Sequence, residues 1–204
     1  MCKVLSTQFL DNADPRLCQK LGAEGRCLGF LTADSDDVTY IALDEATKAA
    51  EVTVVYGASF YAGANNATTP YAGEVLGVLA GSSPGAVRAG MDRAVSVAEG
   101  LSFAEVGGVP YLAYTVSSCG SFLAKEAGVA VGSALAYLIA PPIESMVALE
   151  GALKAADVEL CKLYSPPSPT NFGGGLLSGS RSACEAACRE FERIVTEISK
   201  SPRK

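Results

Sequence analysis

The chain has 204 residues, with 16 Lys+Arg against 22 Asp+Glu and a formal net charge of −6; an acidic chain without a basic run is excluded from gripping a nucleic-acid backbone. With 49% apolar residues, 19% charged residues and a mean hydropathy of +0.26, it carries more apolar surface than a chain of this size hides alone, so a large subunit interface is expected. It contains no histidine, which removes the usual general base near neutral pH and the commonest metal ligand.

Taken in chain order, residues 3–9 read as a strand. Asp14 then caps a helix that has Pro15 at its first position and Gly22 at its end. Residues 28–33 form a second strand. Val38, Ile41, Ala42, Ala46 and Ala49 recur at intervals of three and four, which predicts a helix over residues 38–50 with one buried face. Strands follow at 52–56 and 74–80, and Ser83-Pro84 opens a further helix that Gly100 ends. The second half repeats this plan. Its last helix has the clearest apolar stripe: Cys184, Ala187, Cys188, Phe191, Ile194, Val195 and Ile198.

The halves are related residue by residue. DEATKAAEV (44–52) returns as EGALKAADV (150–158), 106 positions later, and Leu17 and Gly22 match Leu123 and Gly128 at the same offset. GVLAGSS (77–83) returns as GLLSGSR (175–181) at an offset of 98, so the second copy has the shorter loop. Two domains are expected, 1–107 and 108–204. Their fold class is mixed α+β, each an antiparallel sheet flanked by helices.

No apolar stretch reaches the roughly 20 residues of a membrane-spanning helix, and the first residues meet acid and Pro too early for a secretion signal. An intracellular protein is expected. Its seven cysteines form no CxxC pair and read as buried thiols. Two connections are too long for hairpins, 57–73 and 165–174. They stand at equivalent places in the copies and mix Gly and Asn with aromatics: Phe60, Tyr61, Asn65 and Asn66 in one, Asn171 and Phe172 in the other. Loops of this length in a small domain are usually functional or disordered.

The strings TADSDDVTYIALDEATKAAEV, VVYGASFYAGANNAT, AGEVLGVLAGSSPGAVRAG, LAYLIAPPIE and PTNFGGGLLSGSRSACEAAC resemble bacterial microcompartment (BMC) shell proteins of the ethanolamine-utilization type. The resemblance implies tandem, circularly permuted BMC domains and a homotrimeric, pseudohexameric disc that tiles with other shell proteins in the cytoplasm. It implies no catalysis and no cofactor. It places the central gate at Phe60, Tyr61, Asn65, Asn66, Asn171 and Phe172, tile edges at Lys48 and Lys154, and a small ethanolamine-binding pore at Asp36, Glu74 and Phe103, with Asp37 a neighbour. Where relatives carry Arg-Thr-Gly this chain has Ser118-Cys119-Gly120, which leaves choline or a diol as alternative metabolites.

The acidic run Asp34, Asp36, Asp37 follows a strand and precedes a helix. Its negative potential suits a small protonated amine or, less well, a divalent ion held by Asp36, Asp37 and Glu74. One Asp is expected to cap the helix. The enzymatic alternative is a magnesium-dependent phosphatase of the haloacid-dehalogenase type, with Asp34 as nucleophile and Asp36 as acid/base. It lacks a convincing distal acidic pair and leaves the duplication unexplained.

Overall fold

The computed structural model describes residues 1–60, 73–166 and 168–203. The chain divides into two compact units. One comprises Met1–Ser102 with Gly120–Leu123, the other Phe103–Cys119 with Ala124–Lys204.

In the first unit β1 (Val4–Leu10), α1 (Pro15–Leu21), β2 (Cys27–Ala33), α2 (Asp36–Ala49), β3 (Val52–Ser59), β4 (Val75–Gly81) and α3 (Pro84–Gly100) follow one another. The strands form an antiparallel sheet in the order β1-β2-β4-β3. The local signals around α1 act as anticipated: Asp14 accepts the Arg16 N–H at 2.8 Å, and Gly22 closes the helix at φ 68°. On one sheet face Leu28, Val78 and Ala80 pack with Cys18 of α1. On the other face lie α2 and α3. Glycines bring them close: a Cβ on Gly77 would lie 2.7 Å from Leu43 Cδ1, and one on Gly29 would lie 2.7 Å from Met91 Cγ. Gly77 therefore seats α2 on the sheet, and with it the acidic residues of its first turn.

In the second unit β5 (Ala104–Val106) pairs with β6 (Val109–Val116). Then come α4 (Ser121–Ala127), whose first residues count with the first unit, β7 (Ala134–Ala140), α5 (Pro142–Ala155), β8 (Val158–Tyr164), β9 (Gly173–Gly179) and α6 (Arg181–Lys200). The sheet order is β5-β6-β7-β9-β8. Without β5 this repeats the first sheet strand for strand. The bulge in β3 between Val54 and Tyr56 recurs in β8 between Leu160 and Lys162, and Gly128 closes α4 at φ 68° as Gly22 closes α1. The stripe on α6 is buried: Cys184, Ala187, Cys188, Phe191 and Val195 pack with Leu138, Ala148, Leu149 and Ala152. Truncating Phe191 to Ala would cost about 3–5 kcal/mol.

Candidate functional site

At one end of the first sheet the ladder runs one residue beyond the strands. Asp34 N–H donates to the Lys3 carbonyl, Glu74 N–H to the Ala33 carbonyl at 2.9 Å, and Phe60 N–H to the Glu74 carbonyl at 2.8 Å. Glu74 is thereby fixed in a row with Ala33 and Phe60. Gly73 has to be glycine, because a Cβ there would lie 2.2 Å from the Ala33 carbonyl oxygen.

β2 enters α2 at this same end. Ser35 takes the N-cap position without a side-chain cap bond, and Asp36 Oδ1 accepts the Asp37 N–H at 2.9 Å. The expected capping by an Asp is therefore not met: no Asp holds the N-cap position of α2, and Asp36 bonds the next N–H inside the first turn. Asp34 serves elsewhere: its Oδ1 accepts the Lys3 N–H at 2.7 Å and pins the start of β1. Asp36 and Asp37 are 7% and 8% exposed. Ser59, at the end of β3, bonds the Asp36 carboxylate and also the Tyr40 hydroxyl.

Burial pushes the Asp36 carboxyl above the usual range, and the Asp37 N–H and Ser59 hold it back. Glu74 is raised first by burial and then by repulsion from Asp36 and Asp34. Tyr40 is pushed up to about 12, first by burial, against the opposing Ser59 bond, and also by the charges of Asp36 and Asp37. Among the described residues neither Asp36 nor Glu74 forms an ion pair with Lys or Arg. Crowded, half-desolvated carboxylates of this kind are relieved by a small cation with N–H donors. The divalent-ion alternative finds no support: among the described residues no group of three or more Cys, Asp or Glu is placed to hold a metal.

Tyr40 and Ser59 were not singled out from the sequence. Tyr40 had a signal, since it stands four residues after Asp36 on one helix face. Ser59 had none, because the sequence pattern predicts a strand that ends at Tyr56. An open cavity of about 500 Å³ lies elsewhere in this unit, lined by Glu24, Thr47, Glu51 and Ser82 among others, and none of the four carboxylates borders it.

Phe103 belongs to the second unit, where its ring meets Phe172 edge-on at 5.7 Å between centroids and 74° between planes. Asn171 has φ 62°; its N–H donates to the Ser168 carbonyl, and the Ser168 hydroxyl donates to the Phe172 carbonyl at 2.7 Å. These bonds make residues 168–172 a built turn. Phe60 is exposed. Tyr61, Asn65 and Asn66 lie outside the described residues. Lys48 pairs with Glu45, which also accepts from Arg93 at 2.8 Å, whereas Lys154 pairs with Glu150 on an open helix face.

The BMC domain model matches residues 27–109. The bacterial microcompartment shell protein EutL of Clostridium perfringens is 52% identical over 98% of this chain and 94% of its own length. EutL of Salmonella typhimurium is 49% identical over 90% of this chain and 85% of its own. The crystal structure of C. perfringens EutL superposes with a TM-score of 0.95 at 51% identity, covering 98% of this chain and 94% of the other. These relatives are shell proteins, so the phosphatase alternative on Asp34 and Asp36 is set aside. No described helix is long and apolar enough to cross a membrane. The duplicated β-α-β-α-β-β-α plan, the paired sheets and the near-complete match to shell proteins lead to one conclusion: the chain belongs to the EutL family of bacterial microcompartment shell proteins.

Proposed function

We propose that this shell protein works as a homotrimeric tile that gates the passage of a small cationic metabolite, with ethanolamine as the best-fitting ligand. The connections between β3 and β4 and between β8 and β9 are the gate of a central pore. Asp36 and Glu74 accept from the ammonium in a smaller passage, and Asp37 adds to the local field. Lys48 and Lys154 stand at tile edges, where other shell proteins are met. Phe103 braces the foot of the second gate loop through Phe172.

One observation carries the ligand reading. Asp36 and Glu74 converge at the end of one sheet, both are raised by burial, and neither has a cationic partner among the described ion pairs. A bound ammonium supplies the missing charge. It also shifts the gate, to the extent that it binds one arrangement of the loops better than another. The apolar excess of the chain supports the oligomeric part of the reading, because subunit packing covers it.

The test is titration calorimetry with ethanolamine. Asp36→Asn and Glu74→Gln are each expected to weaken binding by about tenfold, the loss of one charge-assisted hydrogen bond. An affinity unchanged in the double variant would sink the cation reading. Sedimentation of the intact protein checks the trimer.

A further inference from the structure

The outer edge of the first sheet is met by an aromatic side chain of α2. On an outer antiparallel strand, residues alternate between those bonded to the neighbouring strand and those whose main-chain groups point away from it. Phe60 N–H donates to the Glu74 carbonyl, so residue 60 is a bonded position, and Ser59, opposite Val75, is an outward one. The Ser59 N–H therefore leaves the sheet on its open side. Tyr40 meets it there, its hydroxyl bonded by both the main chain and the side chain of Ser59. Two positions earlier on the same edge, a Cβ on Gly57 would lie 3.0 Å from Phe122 Cζ, and the Phe122 ring lies 5.9 Å from that of Tyr40. Contacts to Phe122 and Ser59 thus hold Tyr40 one helical turn after Asp36.

Counting hydrogens sets the direction of these bonds. Ser59 also bonds the Asp36 carboxylate, and an ionised carboxylate only accepts. The single Ser59 Oγ–H is directed there, so Tyr40 Oη–H donates to Ser59 Oγ while Tyr40 Oη accepts the Ser59 N–H. The result is a chain from Tyr40 through Ser59 to Asp36. It needs a protonated tyrosine, and burial, with the charges of Asp36 and Asp37 beside it, keeps Tyr40 in that form.

We propose that Tyr40 and Ser59 are positioning residues of the ammonium site: their hydrogen-bond chain holds the ionised Asp36 carboxylate at the sheet end with Glu74, and Tyr40 acts through Ser59. This rests on the cation reading above and adds the groups that orient its carboxylate. Polarisation along such a chain strengthens its last bond, and that bond favours the charged form of Asp36 over the neutral one. The other side chains facing Asp36 are acidic. Asp37, on the same turn of α2, bonds it through its N–H and its side chain, and Glu74, just before β4, faces both Asp36 and Asp34. Ser59 and Tyr40 are the neutral donors that offset this crowding.

The experiment is calorimetric titration of the full chain with ethanolamine across pH, with the Asp36 carboxyl followed by carbon NMR. The variants are Tyr40→Phe, Ser59→Ala, Ser59→Thr and the double variant Tyr40→Phe/Ser59→Ala, each checked for folding by circular dichroism. Ser59→Ala is expected to weaken ethanolamine by about tenfold at neutral pH, the loss of one hydrogen bond to a charged group. Tyr40→Phe weakens it by about twofold to threefold, the loss of polarisation along the chain. Both raise the pH at which Asp36 titrates, and Ser59→Thr, which keeps the hydroxyl, restores binding. The double variant is no weaker than Ser59→Ala, because Tyr40 acts through Ser59. Losses that multiply in the double variant, or an Asp36 titration unmoved by either single variant, would overturn the chain and leave the cation reading standing. A wild type that does not bind ethanolamine would overturn the cation reading, and the chain then stands or falls with the Asp36 titration.

Discussion

Asp44 and Gly120 form a lock. The buried Asp44 carboxylate accepts the Gly120 N–H at 2.7 Å, and a Cβ on Gly120 would lie 2.2 Å from Thr47 Oγ1 and 2.9 Å from Asp44 Oδ1. In the first copy the equivalent position is Asp14, which caps its own helix. In the second, a residue from α2 takes over the capping and leaves no room for a side chain.

Gly120→Ala is therefore expected to destabilise the protein by about 2–3 kcal/mol, through displaced backbone and a strained bond. A thermal melt would show this as a fall of roughly 5–10 °C. Asp44→Ala should cost a similar amount, because two N–H groups lose their acceptor. A melting temperature unchanged in both variants would refute the lock.

Acidification should release a bound ammonium earlier than ordinary carboxylates would. Asp36 and Glu74 are raised by burial, and Glu74 also by its neighbours. Only their ionised forms bind a cation, so affinity is full at neutral pH and falls as pH drops through values above the ordinary Glu figure of 4.5. Conversely, binding at a pH where these raised carboxyls are partly protonated should expel protons, which calorimetry in buffers of different ionisation enthalpy detects.

Ligand choice should follow N–H donors and charge together. Ethanolamine has both, choline has the charge without the N–H, and a diol has neither. Ethanolamine is expected to bind at least about tenfold tighter than choline, with no measurable diol binding. A diol that competes with ethanolamine would contradict the roles of Asp36 and Glu74.

The turn at residues 168–172 should respond to backbone and ring changes separately. Asn171 adopts φ 62°, so Asn171→Gly should be tolerated, while Asn171→Val should loosen the turn by about 1–2 kcal/mol. Phe103→Ala removes an edge-on ring pair worth about 0.5–1.5 kcal/mol. Hydrogen exchange at Asn171 and Phe172 should rise in the Val and Ala variants alone.

What was legible in the sequence was local or periodic. The caps of α1 at Asp14, Pro15 and Gly22 act within a few residues, and the α6 stripe repeats every turn. The duplication was readable because the helices that bury the same face keep the same small residues. The short strand β5 escaped, since its three residues gain their partner only through β6. Asp34 was read as part of an acidic site, yet its carboxylate serves Lys3, 31 residues away. Asp44 carried no local signal for a role 76 residues downstream. Asp36 and Glu74 were named through family likeness; the packing of β2, β3 and β4 supplies the physical reason that they meet.

Among the described residues each outermost strand of the two sheets is bulged or short. Bulges break the outer strands β1, β3 and β8, and β5, the fourth outer strand, is only three residues long. A wall-building protein lives at very high local concentration, where a long straight margin would invite neighbours to zip on by main-chain pairing without limit. Kinked margins deny that route. Any association is then left to side-chain matching, which, unlike main-chain pairing, can be saturated and is sensitive to a single charge.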